Sequence, residues 1–162
     1  VGNRIIFTGR VIKGSGRGKE LGIPTLNLDL KDIPEELKEG IYAVWVIDHT
    51  AKSQITNLKS QNDLPAVMHY GERPVFKDTK SCEVHFLQGQ EMRSDERNTL
   101  NVHVVERIRD VQDFDNAEAL KRQIASDIRK AKEILTNKPV KLPGLKARAS
   151  LMPKRNPAPK AP

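Results

Sequence analysis

The chain has 162 residues, enough for one domain with its own core, and its single cysteine, Cys82, excludes an internal disulfide framework. No apolar run is long enough for a membrane-spanning helix and no segment resembles a secretory signal, so the sequence reads as a soluble, cytoplasmic protein without a membrane partner. The formal charge of +7 is local: residues 137–162 hold seven Lys and Arg and no acid, which leaves 21 basic and 21 acidic side chains in 1–136 and no basic excess on the folded part.

Residues 1–136 read as one folded unit, a barrel plus a closing helix. Arg4–Ile12 is β-rich. Thr25–Leu30 alternates, with Leu26, Leu28 and Leu30 on one face and Thr25, Asn27 and Asp29 on the other. Residues 32–39 suit one short helical turn. Ile41–Ile47 is apolar on both faces and predicts a central strand. Pro65–Tyr70, Cys82–Leu87 and Asn101–Ile108 complete six strands separated by turn residues. No strand–helix alternation occurs, which argues against a doubly wound sheet and for an antiparallel barrel or sandwich. Polar loops are expected over 48–63 and 88–99.

A helix closes the unit. Asp115 to Glu118 is a cap signal, with Glu118 at the third helical position. Ala117, Leu120, Ile124, Ile128, Ala131 and Leu135 then recur at steps of three and four, with Lys121, Arg122, Arg129, Lys130 and Lys132 away from them. Such a helix lies against the barrel's outside or across one end, and Pro139 stops it. Residues 137–162 hold six of the ten prolines and no aromatic residue, a composition that predicts a disordered basic tail.

Three features bear on chemistry. Gly14, Gly16, Gly18 and Gly22, with Ser15, Arg17 and Lys19 among them, form a loop whose backbone N–H groups can approach an anion. Pro24 fixes the entry to the next strand, on which Thr25 and Asn27 share a face. Their hydroxyl and amide oxygens are hard donors suited to Mg²⁺ carrying nucleotide phosphates. This is not the Walker loop, because GxxxxGK[ST] is absent and a strand follows. On residues alone, a phosphate loop and a plain glycine-rich hairpin stay equally open. Glu83 is a carboxylate that could take a proton from a hydroxyl in a barrel mouth, or one that merely solvates a sheet face. His49, His69, His85 and His103 lack metal-ligand spacing and predict no zinc site.

The segment GRVIKGSGRGKELGIPTLNL resembles the G-x-V-x-x-G-x-x-x-G-x-x-L-G-[FI]-P-T-x-N-[LI] pattern of the riboflavin kinase family, the module that also forms the C-terminal half of bacterial bifunctional FAD synthetases. GIYAV at 40–44, GERPVF at 71–76, EVHFL at 83–87, and Ile108-Arg109 ahead of Asp113-Phe114-Asp115 and the helix extend the resemblance from about Gly9 to Leu135. It implies a six-stranded antiparallel barrel with a C-terminal helix, and transfer of the ATP γ-phosphoryl group to the riboflavin 5′-hydroxyl to give FMN. In that picture Gly14, Ser15, Gly16, Arg17, Gly18, Lys19, Gly22, Pro24 and Thr25 hold the nucleotide. Thr25 and Asn27 ligate Mg²⁺, Glu83 is the catalytic base, and Asn27, Glu83 and Arg109 contact the flavin. The implied partners are riboflavin, FMN, ATP and ADP, and the implied state is a monomer. The chain departs from the pattern at Val67–Gly71, where His69 stands in place of Asn, at Val75 in place of Thr, and in EMRSDERNTLNV, which lacks Tyr and Gly. Two other functions remain in view: a flavin- or nucleotide-binding barrel without turnover, and a small barrel that binds nucleic acid through the tail.

Overall fold

The computed structural model describes residues 4–14, 21–47, 63–72, 79–88 and 99–138. Strand β1 (Ile6–Ile12) buries alternate residues, Phe7, Gly9 and Val11, and exposes the ones between. β2 (Leu26–Leu28), β4 (Asp63–Glu72), β5 (Lys80–Phe86) and β6 (Thr99–Arg109) follow, and in β5 the buried Cys82, Val84 and Phe86 alternate with the half-buried Glu83 and His85. All six strands pair antiparallel in the order β1-β2-β5-β4-β3-β6, and β6 pairs back onto β1 to close a barrel. Closure gives each of these strands a partner on both sides.

The barrel is filled by its own side chains. Val11, Leu28, Val44, Val46, Met68, Val84, Leu100 and Val102 are fully buried in one interior cluster. Each large apolar side chain removed from water in this way stabilises the fold by about 1.5–3 kcal/mol. Cys82 is in the same interior, where burial pushes its thiol up to about 12. Leu37 and Tyr42 belong to the cluster too, and the Tyr42 hydroxyl donates to the Lys38 carbonyl at 2.5 Å.

Strand β3 (Gly40–Ile47) is apolar on both faces for a specific reason. Tyr42, Val44 and Val46 face the interior, whereas Ile41 and Ala43 face outward and meet Ala131 and Leu135 of helix α1 (Ala117–Asn137). Val67 on β4 completes this second cluster, with Val105, Ile108 and Ile128 packed at its edge. Two register shifts between β3 and β6 skip Ile108 and Val105 and bend the wall under the helix. Trp45 Nε1 donates to the Lys138 carbonyl at 3.0 Å, and Lys138 pairs with Glu106, which ties down the end of α1.

The sequence expectation of six antiparallel strands with an outer helix holds. Some boundaries differ. β2 ends at Leu28 because Asp29 caps a 3₁₀ turn, Leu30–Asp32, by accepting from the Lys31 N–H; Leu30 is thereby turned outward and exposed. That turn begins two residues before the expected 32–39. The N-cap of α1 is Asn116, whose side chain accepts from the Ala119 N–H at 2.8 Å, so Glu118 is the second helical residue and Ala117 is exposed. The expected loops over 48–63 and 88–99 lie almost wholly outside the described residues, and the tail beyond 138 lies wholly outside them.

Candidate active site

Backbone register alone assembles the site. Asn27 on β2 pairs with Ile12 on β1 and with Glu83 on β5. Glu83 pairs with His69 on β4, His69 with Ile41 on β3, and Ile41 with Arg109 on β6. These residues form one rung around the barrel. Leu26 and Leu28 point inward, so Asn27 points out; Cys82 and Val84 point inward, so Glu83 points out. The site is therefore on the outer wall and not in a barrel mouth, because the interior is already filled by apolar side chains. Directly opposed residues bring their Cβ atoms to about 4.5–5.5 Å, so the amide of Asn27 and the carboxylate of Glu83 share one patch.

Gly14 closes on that patch. Gly14 lies so near Asn27 that a Cβ at position 14 would fall 1.9 Å from Asn27 Nδ2. Only glycine permits this approach, and it helps to keep Asn27 only 8% exposed. Gly22 adopts φ +74°, the left-handed region in which glycine carries no penalty, as the chain turns toward Pro24. Ser15, Gly16, Arg17, Gly18 and Lys19 lie outside the described residues. Thr25 stands one residue before β2, on the Asn27 side of the chain. His85, two residues beyond Glu83 and on its face, donates from Nδ1 to the Pro24 carbonyl at 2.8 Å.

Glu83 is partly buried, and the buried Ser81 hydroxyl donates a long 3.4 Å bond to one of its oxygens. Arg109 closes the rung on the far side. Its guanidinium donates three bonds of 2.8–3.1 Å to Asp127 of α1 and one of 2.9 Å to the Asp110 carbonyl, and its Cζ lies 5.7 Å from the centre of the Phe114 ring. Asp127 is 2% exposed and also accepts from Gln123. The geometry thus gives Arg109 a helix-anchoring role beside the flavin contact the sequence suggests. A surface concavity of about 280 Å³ is lined by Arg10, Val11, Ile12, Lys13 and Asp29, next to Asn27 but one strand away from Glu83. Beside it, Arg10 bonds Asp32 at 2.9 and 3.0 Å and holds that carboxyl below its ordinary range.

The donor set suits a magnesium ion that arrives with phosphates. Thr25 and Asn27 offer neutral oxygens and Glu83 offers a carboxylate. Among the described residues no three His, Cys, Asp or Glu side chains gather into a metal cage. Mg²⁺ keeps several waters and commonly takes one or two protein ligands plus substrate phosphates, which this set can provide. Sequence reasoning brought Thr25, Asn27 and Glu83 forward. It missed the tie from His85 to Pro24 and the burial of Asp127. Shared strand parity with Glu83 was the only sign of the first. Asp127 sits three residues after Ile124 and four before Ala131, on the apolar stripe, and that placement was the sign of the second.

Comparison with known proteins follows the same course. The riboflavin kinase family model matches residues 1–135. The riboflavin kinase of Homo sapiens is 33% identical over 133 residues, covering 78% of this chain and 78% of that protein. The riboflavin kinase of Emericella nidulans is 40% identical over 95 residues, covering 51% of this chain but only 45% of that protein. Among solved structures, riboflavin kinase from Trypanosoma brucei aligns over 85% of this chain and 83% of its own, with a TM-score of 0.51 at 20% identity, which is a likeness of fold. A structure titled as a macrolide-efflux protein from Streptococcus pneumoniae aligns with a TM-score of 0.62 at 26% identity, covering 81% of this chain and 39% of its own.

Proposed function

The chain belongs to the riboflavin kinase family, and we propose that it transfers the γ-phosphoryl group of ATP to the 5′-hydroxyl of riboflavin in a Mg²⁺-dependent reaction. The observation that carries this reading is the register that sets Asn27 directly opposite Glu83 on the outer wall. Phosphoryl transfer asks a protein mainly for positioning and for charge stabilisation, with one base for the attacking alcohol. Glu83 accepts the proton of the 5′-hydroxyl as that oxygen attacks the γ-phosphorus, and ADP departs. Asn27 and Thr25 orient the phosphate end of the nucleotide and would hold the metal. Magnesium, when bound, would supply neutralisation of phosphate charge. Gly14 brings the start of the glycine-rich segment against Asn27, and Arg109 supports the flavin side from its anchor on α1.

Incubation with riboflavin and ATP, with and without Mg²⁺, tests this reading by chromatography of the products. FMN and ADP in equal amounts, only with Mg²⁺, are expected. Tight FMN or Mg·ADP binding without product would instead select a binding barrel that has lost turnover, a reading favoured by His69, which stands opposite Glu83 where the family pattern has Asn. No helix among the described residues is long and apolar enough to cross a membrane. The proposal extends to a cytoplasmic monomer, and sedimentation of the full chain tests the oligomeric part.

A further inference from the structure

We propose that His85 is a positioning residue for the metal-binding pair: its Nδ1–H clamps the Pro24–Thr25 peptide unit and so fixes the Thr25 hydroxyl beside Asn27. The inference rests on the kinase reading and refines it. β2 has only three residues, and its ladder to β5 runs Leu28 with Cys82, Asn27 with Glu83 and Leu26 with Val84. The next pair in that register is Thr25 with His85, where β2 has already ended. Pro24 has no N–H to give, so its carbonyl is the one backbone group through which this residue can be held. His85 takes that carbonyl at 2.8 Å.

The placement matters for chemistry because the chain enters from the glycine loop at this point. Gly22 is in the left-handed region, and a Cβ placed on it would meet nothing within 4 Å among the described residues. Asn27 is fixed twice, by the ladder and by Gly14. Thr25 has the clamp in place of a ladder partner. A carbonyl can only accept, so the bond requires a proton on Nδ1. One neutral tautomer and the imidazolium both supply it. The residue touches neither phosphate nor flavin in this account; it acts through Thr25, as outer partners of metal ligands commonly do.

The test uses the full chain and the variants His85→Ala, His85→Asn and His85→Gln. An Asn amide N–H reproduces the position of Nδ1–H, whereas a Gln amide reaches toward the place of Nε2. Three quantities are read: the Mg²⁺ concentration that half-saturates ADP binding in calorimetry, the hydrogen exchange of the Thr25 amide, and kcat for FMN formation at saturating Mg²⁺. His85→Ala is expected to raise the half-saturating Mg²⁺ about 10-fold and to speed Thr25 exchange. It should leave kcat at saturating metal within about threefold, because the base is untouched. His85→Asn should recover most of the metal affinity and His85→Gln should not. A folded His85→Ala with wild-type Mg²⁺ dependence overturns the clamp. Should His85→Ala fail to fold, the two amide variants decide, and equal behaviour of Asn and Gln overturns it as well. A wild-type protein that neither binds Mg·ADP nor forms FMN contradicts the kinase reading itself, whereas a wild type that turns over beside an indifferent His85→Ala contradicts the clamp alone.

Discussion

The two ends of one cross-strand rung differ in what covers them. At one end Ile41 and Arg109 lie beneath α1, where Ile41 joins Ala131 and Leu135 in an apolar cluster and Arg109 is paired with the buried Asp127. At the other end Asn27 lies against Gly14 and opposite Glu83, and among the described residues no helix lies on them. Each residue is one outward position on a neighbouring strand, although the β3–β6 ladder beneath the helix carries two register shifts. Side-chain chemistry sets the difference. Apolar groups and a saturated ion pair recruit a helix and give stability. A carboxylate beside an amide and a hydroxyl recruits no helix among the described residues, and it is this polar group that the proposed reaction uses.

That contrast predicts that substitutions at the open end alter turnover with little effect on stability, and that substitutions at the covered end do the reverse. The largest effect belongs to Glu83→Gln, which should lower kcat by about 10²–10⁴-fold with an unchanged melting temperature; retained turnover would remove Glu83 as the base. Asp127→Ala comes next. It leaves the Arg109 guanidinium largely buried without its carboxylate, and chemical denaturation should show a loss of roughly 3 kcal/mol, while kcat of the folded fraction stays near wild type. A kcat that falls with stability intact would move Arg109 from the scaffold into the chemistry. Gly14→Ala forces Asn27 aside and should cost about 10–100-fold in activity, read as kcat/KM for Mg·ATP, with a far smaller change in melting temperature.

The smallest effect lies at the rim. Arg10 holds the Asp32 carboxyl below its ordinary range, so the folded state binds that proton less tightly than the unfolded chain. The stability this provides is present above the unfolded pKa of about 3.9 and fades as pH falls through the lower folded value. Asp32→Asn should therefore lower the melting temperature slightly at pH 6 and by less at pH 3, where the unfolded carboxyl is already mostly protonated. An equal shift at both pH values would assign the residue a packing role.

Much of this contrast was legible in the sequence because it depends on periodicity. Alternation in Leu26–Asn27–Leu28 and Cys82–Glu83–Val84 fixes which side chains leave the barrel, and the step of three and four in Leu120–Leu135 marks the helix face. The resemblance to a known family then supplied the roles. What stayed hidden depends on contacts between segments distant in sequence. Asp127 is an acidic side chain on the apolar stripe, and its bonds to Arg109, 18 residues earlier, and to Gln123 make burial tolerable. The bond from His85 to Pro24 spans 61 residues and needs the β2–β5 register to be known. Glu83 looked suited to a barrel mouth until the interior proved to be filled. The helix cap moved by one residue because Asp115 and Asn116 are both good caps, and local sequence does not choose between them.

The most direct test of the account is where a nucleotide and a flavin bind. Titration of Mg·ADP and then FMN into ¹⁵N-labelled protein, followed by amide shifts, should perturb Gly14, Thr25, Asn27, Glu83 and His85 first and most. Shifts concentrated instead on the β1–β6 wall around Thr8 and Asn101, with Asn27 and Glu83 unmoved, would contradict it.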